Sequence, residues 1–355
     1  MTNVFRFLKR ISTDISYINS LFVSAFVKLN GLDFGDTNYL SYYKDIDNKV
    51  LDSFLNEVSG RIDLEQLVRL FEFVISPSDK IVNGAIYTPK DIRNAIVDHC
   101  LGHFNSEQLR HVRVCDIACG CGGFLMDVAE YIHVKTQKTF RDIFQDNIYG
   151  IDIQGYSVER TKILLSLLAL SYGEDDDFKF NLMQADTLDF CSDNWNQEFS
   201  SFDVIVGNPP YVCSRNVSKE TKQKMLKYEV SQSGHPDLYI PFFQIAYDML
   251  ADGGKLGYIT MNSFIRSVNG RSLRQYFSSN RINISIVDFR GHQVFKKKST
   301  YTCLFFLDKG NHAEGIQYVA NENGSLEQPF VFSFIPYTSL DDRKGWSLND
   351  NSEAQ

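Results

Sequence analysis

Phe202-Asp203-Val204-Ile205-Val206-Gly207-Asn208-Pro209-Pro210-Tyr211 is the stretch on which the reading of this chain turns. Val204, Ile205 and Val206 form a β-branched run that reads as a buried strand stopping at Gly207. Two prolines then forbid regular continuation, because neither has an N–H to donate and Pro210 pushes Pro209 out of the helical region. The locked strand end carries an amide side chain at Asn208, at least one free backbone carbonyl at Pro209 and an aromatic ring at Tyr211. That set suits a planar substrate bearing an NH2 group: two fixed acceptors take both amino hydrogens while the ring stacks on the plane.

The 355 residues exceed one typical domain, and a hydrophobic content of 43% is ample for a core. A formal net charge of −8 argues against a general nucleic-acid binder, so local basic patches or a partner must supply any DNA affinity. Seven cysteines and a start without a signal-peptide core predict reduced thiols and a cytoplasmic protein, and no apolar run approaches a membrane span. Cys115, Cys119 and Cys121 fall on a strand end and its glycine turn without a second pair at zinc spacing, so no metal is expected.

Outward from the central stretch the chain alternates strands and helices. Phe5, Leu8, Ile11, Ile15, Ile18, Phe22 and Phe26 recur at helical spacing up to Asn30-Gly31, predicting one amphipathic helix. Two more helical patterns follow, through Val50–Val58 and Leu64–Val74, with Gly60 between them and Ser76-Pro77 closing the second. After Gly84-Ala85-Ile86, Tyr87-Thr88-Pro89 reads as a helix start, with Thr88 as N-cap and Pro89 at the first helical position. Val112, Val114 and Ile117 give a strand that runs into Asp116 and a turn through Ala118, Cys119, Gly120 and Gly122, where missing side chains let a bulky ligand approach. A second acid, Asp152, followed by Ile153, ends the next strand about 36 residues later, against about 20 in dinucleotide-binding units.

Glu174 to Asp177 reads as a solvated loop, and a strand over Phe178–Leu182 leads to Asp186-Thr187. This alternation predicts an α/β fold with one doubly wound sheet. Lys222 and Lys227 lie in a basic segment past the central turn that is either a solvated helix or a phosphate-contacting flap. Two later strands, Ile282–Phe289 and Tyr301–Leu307, are close enough to pair antiparallel, and between them lie Phe295, Lys296 and Lys297.

Asn208-Pro209-Pro210-Tyr211, together with Tyr87-Thr88-Pro89 upstream and Asp237-Leu238-Tyr239 opening a helix, resembles the N6-adenine DNA methyltransferases of restriction-modification systems, of the type I modification-subunit or type IIG kind. The resemblance implies a Rossmann-like S-adenosylmethionine-dependent methyltransferase domain over 81–310, with a mostly parallel seven-stranded sheet ending in an antiparallel strand. A helical domain over 1–80 precedes it, and an extension over 311–355 follows.

It further implies that Asn208 and the Pro209 carbonyl grip the target amine on a turn held by Pro210, with Tyr211 and Phe295 packing on the two faces of an extruded base. Tyr87, Thr88, Pro89 and Asp116 would meet the methionine end of S-adenosyl-L-methionine beside the turn of Ala118, Cys119, Gly120 and Gly122. Asp152 with Ile153 would meet the ribose, and Asp186 with Thr187 the adenine. Lys222, Lys227, Lys296 and Lys297 are candidates for contacts to the phosphates of double-stranded DNA. Such enzymes usually continue into a target-recognition domain, so 311–355 reads as the start of one, or else a specificity subunit reads the sequence. Methylases of protein glutamine and of RNA base amines present the same turn, and they remain alternatives, as does a cofactor-binding subunit that is idle without its specificity partner.

Overall fold

The computed structural model describes residues 2–12, 14–36, 38–43, 46–58, 62–73, 86–190, 199–295, 301–327 and 329–348. Gly60, Val74, Ser76-Pro77, Gly84-Ala85, Lys296 and Lys297 lie outside the described residues. Among the described residues nine strands form one sheet: β1 (Val114–Asp116), β2 (Ile148–Asp152), β3 (Asn181–Gln184), β4 (Phe202–Gly207), β5 (Leu250–Met261), β6 (Ile282–Asp288), β7 (Thr302–His312), β8 (Gly315–Ala320) and β9 (Ser333–Pro336). Their order is β3-β2-β1-β4-β5-β7-β6-β8-β9. β1 to β5 run parallel to their neighbours, and β7 is inserted antiparallel between β5 and β6. The strand order reverses between β1 and β4, so a crevice opens outside their carboxyl ends, at Asp116 and Gly207.

β4 shows why the central run is a strand. Val204 and Val206 enter the apolar core on one face of the sheet, while Ile205 enters the core on the other, and all three are fully buried. Gly207 is required by its neighbour strand, because a Cβ there would lie 2.7 Å from Asp116 Oδ1.

One face is covered by α1 (Thr2–Ile11), α2 (Ile15–Asn30), α3 (Asn48–Glu57) and α4 (Leu64–Phe73), and by α5 (Lys90–Leu101), α6 (Ser106–His111), α7 (Gly123–Thr136), α8 (Phe140–Asp146) and α9 (Gly155–Ser171). Buried residues of α1 to α4 belong to the same apolar core as those of α5 to α9. Polar ties reinforce that contact: buried Arg160 of α9 donates to Phe71 O at 2.9 Å and to Asn19 Oδ1 at 3.2 Å. The other face carries α10 (Lys219–Met225), α11 (Pro241–Met249) and α12 (Arg271–Ser279). Among the described residues no helix is long and apolar enough to cross a membrane.

Several expectations need correction. The first helical pattern is two helices, because the Asp14 carboxylate accepts from the Ser16 and Tyr17 N–H groups and starts a new one. Pro89, not Thr88, is the N-cap of α5, and the Thr88 hydroxyl is engaged by Asn208 instead. The strand expected at Phe178 begins at Asn181, since Phe178 and Phe180 pack their rings on Phe144 with centroids 5.3 and 5.4 Å away. The acidic loop is not simply solvated: Glu174 accepts from Phe140 N at 2.8 Å, and Asp175 accepts from Gly35 N at 2.6 Å and Asn38 Nδ2 at 2.7 Å.

The seven strands expected over 81–310 are present as β1 to β7, the last running on to His312, but among the described residues the sheet continues beyond them, because β8 pairs parallel with β6 and β9 pairs antiparallel with β8. Past β9, Trp346 is fully buried, its ring 6.4 Å from Phe277 and 6.2 Å from Tyr337, and its indole N–H donates to Asp342 at 2.7 Å. Trp346→Ala is accordingly expected to cost about 3–5 kcal/mol of unfolding free energy in urea titrations. A loss below roughly 1 kcal/mol would mean that this segment does not unfold with the sheet.

Candidate active site

Asn208 stands immediately after β4, and its amide is oriented by the segment leading into α5. Nδ2 donates to Ile86 O at 3.2 Å and to Thr88 Oγ1 at 3.0 Å. A carbonyl oxygen can only accept, so the amide has to turn its NH2 group toward Ile86. Oδ1 is left buried without a partner among the described residues. No hydrogen bond among the described residues engages the Pro209 carbonyl, whereas the Pro210 carbonyl accepts from Val212 N at 3.1 Å. Two acceptors thus remain open at the strand end.

Tyr211 donates its hydroxyl to Ile259 O at 3.1 Å, which holds the ring beside the turn. Phe295 approaches it with centroids 6.3 Å apart at 76°, and Phe295 is only 5% exposed. The structure therefore brings together the two rings expected to sandwich a base, but edge to face in mutual contact. A base could enter between them only after they part.

A cavity of about 350 Å³ lies at the crevice between β1 and β4, within the usual range for small-molecule sites. Tyr87, Thr88, Ala118, Cys119, Ile153 and Thr187 reach its wall. So do Asp116, Gly120, Asp152, Asp186, Asn208 and Pro210. Pro89 and Gly122 stand behind that wall as the N-caps of α5 and α7. Gly122 has φ 86°, and a Cβ there would meet Thr161 Cγ2 at 2.7 Å, so glycine is needed at the turn.

Asp152 is pre-organised by backbone donors, Gly120 N at 2.9 Å and Gln154 N at 2.8 Å. Asp116 is 2% exposed and accepts from Ala118 N at 3.0 Å. Burial pushes the Asp116 carboxyl up to about 8, with the Asp152 charge adding to the rise. Asp152 is pushed up to about 6 by burial, against the pull of its backbone donors and with a further rise from Glu72. Burial likewise pushes the Cys115, Cys119 and Cys121 thiols well above their ordinary value.

Sequence reasoning missed three participants. Lys224, which lies between Lys222 and Lys227 in the basic segment, is turned inward: Nζ donates to Asp186 at 2.7 Å and Asp189 at 2.8 Å. It ties α10 to the end of the cavity at Asp186, whose other oxygen accepts from Leu188 N. Lys222 and Lys227 remain exposed. Arg93 and Glu72 also line the cavity, the first from α5 and the second from α4. Neither belongs to a local motif; only contacts between distant segments reveal them.

Residues 146–295 match the Eco57I restriction-modification methylase family. The resemblance to methylases of restriction-modification systems read from the motifs is thereby borne out. The Type II restriction enzyme and methyltransferase RM.Eco57I of Escherichia coli is 29% identical over 364 residues, covering 86% of this chain and 36% of that protein. Among solved structures, the type IIG restriction endonuclease BpuSI aligns with TM-score 0.62 at 16% identity, covering 94% of this chain and 44% of that one. A candidate class I S-adenosylmethionine-dependent methyltransferase from Listeria monocytogenes aligns with TM-score 0.54 at 14% identity, covering 88% and 94%. At such identities the structural likeness establishes the fold, the Rossmann-like class I methyltransferase sheet. The chain spans less than half the length of the E. coli enzyme and of BpuSI.

The raised Asp116 value carries a stability consequence. Its folded pKa of about 8 lies above the ordinary 3.8, so between these values the folded state holds a proton that the unfolded chain has released. Stability contributed by that proton is present at low pH and is lost as pH rises toward 8. Asp116→Asn keeps an acceptor for Ala118 N and is expected to flatten the decline of Tm between pH 6 and 8, raising Tm at pH 8 by roughly 2–5 °C. Scanning calorimetry of the ligand-free protein checks this; superimposable Tm profiles would remove the ionisation from Asp116.

Proposed function

We propose that this chain transfers a methyl group from S-adenosyl-L-methionine to the exocyclic N6 amine of adenine in double-stranded DNA, as the modification activity of a restriction-modification system. The observation that carries the reading is the buried, unpartnered Asn208 Oδ1 next to a free Pro209 carbonyl. Buried acceptors are normally satisfied, and one left open at a cavity mouth points to a donor supplied by a ligand. An amine offers two N–H groups, matching the two acceptors.

The cavity residues fit the cofactor. Asp152, held by two backbone N–H groups, can accept from a ribose diol, and the buried Asp116 suits a cationic ligand. The glycine turn leaves room against the backbone, with Gly120 at φ 54° and Gly122 at φ 86°. When bound, S-adenosylmethionine supplies a methyl group already activated by its sulfonium charge.

The chain's own residues then have to orient and stabilise. Asn208 Oδ1 and Pro209 O hold both amine hydrogens, which fixes the direction of the nitrogen lone pair. As the nitrogen becomes positive during attack, both acceptors gain interaction energy, so they stabilise the transition state more than the ground state. No strong base is required, because the methylated nitrogen becomes acidic and can lose its proton to water. Tyr211, anchored at Ile259 O, offers a face for stacking once Phe295 has moved aside.

DNA as the substrate is supported by the restriction-modification relatives and by the accompanying Tyr87-Thr88-Pro89 and Asp237-Leu238-Tyr239 elements. The closed contact between Tyr211 and Phe295 favours a second reading, a subunit that stays idle until a specificity partner and DNA open the base pocket.

Asn208→Ala is expected to leave calorimetric affinity for S-adenosylhomocysteine within about threefold while lowering the single-turnover methylation rate about 100-fold or more. The assay uses unmethylated duplex DNA, with and without the specificity partner, and nucleoside analysis of the product. N6-methyladenine is expected. N4-methylcytosine, or transfer to glutamine or RNA alone, would overturn the substrate assignment, and a wild-type rate in the variant would remove Asn208 from the chemistry.

A further inference from the structure

We propose that Glu72, carried by the last turn of α4 and not by the sheet, is a cofactor-binding carboxylate that takes the ammonium group at the amino-acid end of S-adenosylmethionine. The inference rests on the reading of the cavity as the cofactor site and deepens it.

Glu72 lies across the glycine turn that follows β1. Its Oε1 is 3.4 Å from Cys121 N, and a Cβ built on Gly120 would sit 3.1 Å from the same oxygen. It lines the same cavity as Asp116, Asp152 and Asn208. Charge bookkeeping then points to the ligand. Among the described residues no lysine, arginine or histidine forms an ion pair with Glu72, Asp116 or Asp152.

The two guanidinium groups nearby are committed elsewhere. Arg93 engages Glu65 at 2.7 Å, Asp127 at 2.6 Å and Thr88 O at 2.6 Å, and Arg160 engages Asn19 and Phe71 O. Burial keeps Asp116 protonated below about 8, but it can release that proton when a cation binds, so with Glu72 and Asp152 beside it the cavity suits positive charge from its occupant. S-adenosylmethionine brings two cationic centres, a sulfonium and an α-ammonium.

The ammonium is the better match for Glu72. Asp152 is oriented by Gly120 N and Gln154 N at the end of β2, and Asp186 closes the cavity at the end of β3, so these two span the nucleoside end. Glu72 meets the same glycine turn one residue on from Asp152, accepting a long contact from Cys121 N and a bond from the Cys121 thiol, and among the described residues no cation pairs with it. A carboxylate with free lone pairs accepts strongly from an ammonium donor. A helix packed on the outside of the sheet would in this way become part of the cofactor site, and an occupied cavity would clamp α4 to the glycine turn.

Glu72→Gln separates the charge from the cap, because the amide oxygen still accepts from Cys121 N. Calorimetry with S-adenosylhomocysteine, which has the amino-acid tail, and 5′-methylthioadenosine, which lacks it, reads the difference. Both carry a neutral sulfur, so the sulfonium does not enter. The expected result is a weakening of about 10-fold or more for S-adenosylhomocysteine and less than about twofold for 5′-methylthioadenosine, with circular dichroism of the variant matching wild type. Unchanged affinity for both ligands would overturn the proposal and leave Glu72 as a cap on Cys121; equal weakening of both would overturn it in favour of a nucleoside or packing role. If the wild-type protein binds neither ligand, the cavity reading itself fails, and that outcome is distinct from a failure confined to Glu72.

Discussion

The orientation of one amide governs the candidate active site. Ile86 O and Thr88 Oγ1 take the Asn208 NH2 group, and only for that reason is Oδ1 left without a partner at the cavity wall. The hydrogen bond joins residues 122 positions apart, so the chemistry of the turn after β4 depends on where the segment before α5 is held. Thr88, readable as a helix cap, is in fact an acceptor for the catalytic candidate, which explains why α5 begins without a side-chain cap.

Arg93 holds that segment. Its guanidinium, 2% exposed, reaches Thr88 O, Glu65 of α4 and Asp127 of α7. Removing one member of such a buried set strands the remaining charges, a loss of about 3–5 kcal/mol in comparable cases. Tyr87 is fixed from the same helix, donating to Glu65 and accepting from Arg69 at 3.0 Å. The N-terminal helices are therefore mechanically continuous with the cavity wall, and Glu72 extends that continuity to the cavity itself.

Two features look poised for rearrangement. Lys224 occupies one oxygen of Asp186 and Leu188 N the other, so any further donor approaching that carboxylate has to use a remaining lone pair or displace the lysine. Tyr211 and Phe295 touch edge to face, so the space between the two rings is filled by their own contact.

The sequence by itself determined the parts that depend on local chemistry. The β-branched run Val204 to Val206, the double proline, the glycine turn and the strand-end acids all follow from backbone sterics and from burial on both faces of a parallel sheet, and each is where its residue types require it. The antiparallel pairing of β6 with β7 was legible for the same reason, since so short a connection forbids a parallel crossover. Tertiary structure alone decided which polar group meets which. The break at Asp14, the use of Thr88 by Asn208, the inward turn of Lys224, the anchoring of Asp175 to Gly35 and Asn38, and the addition of β8 and β9 to the sheet all depend on segments far apart in the chain. A side chain's hydrogen-bonding capacity is written in its residue type, but its partner is whatever packing brings within about 3 Å, and no local pattern encodes that.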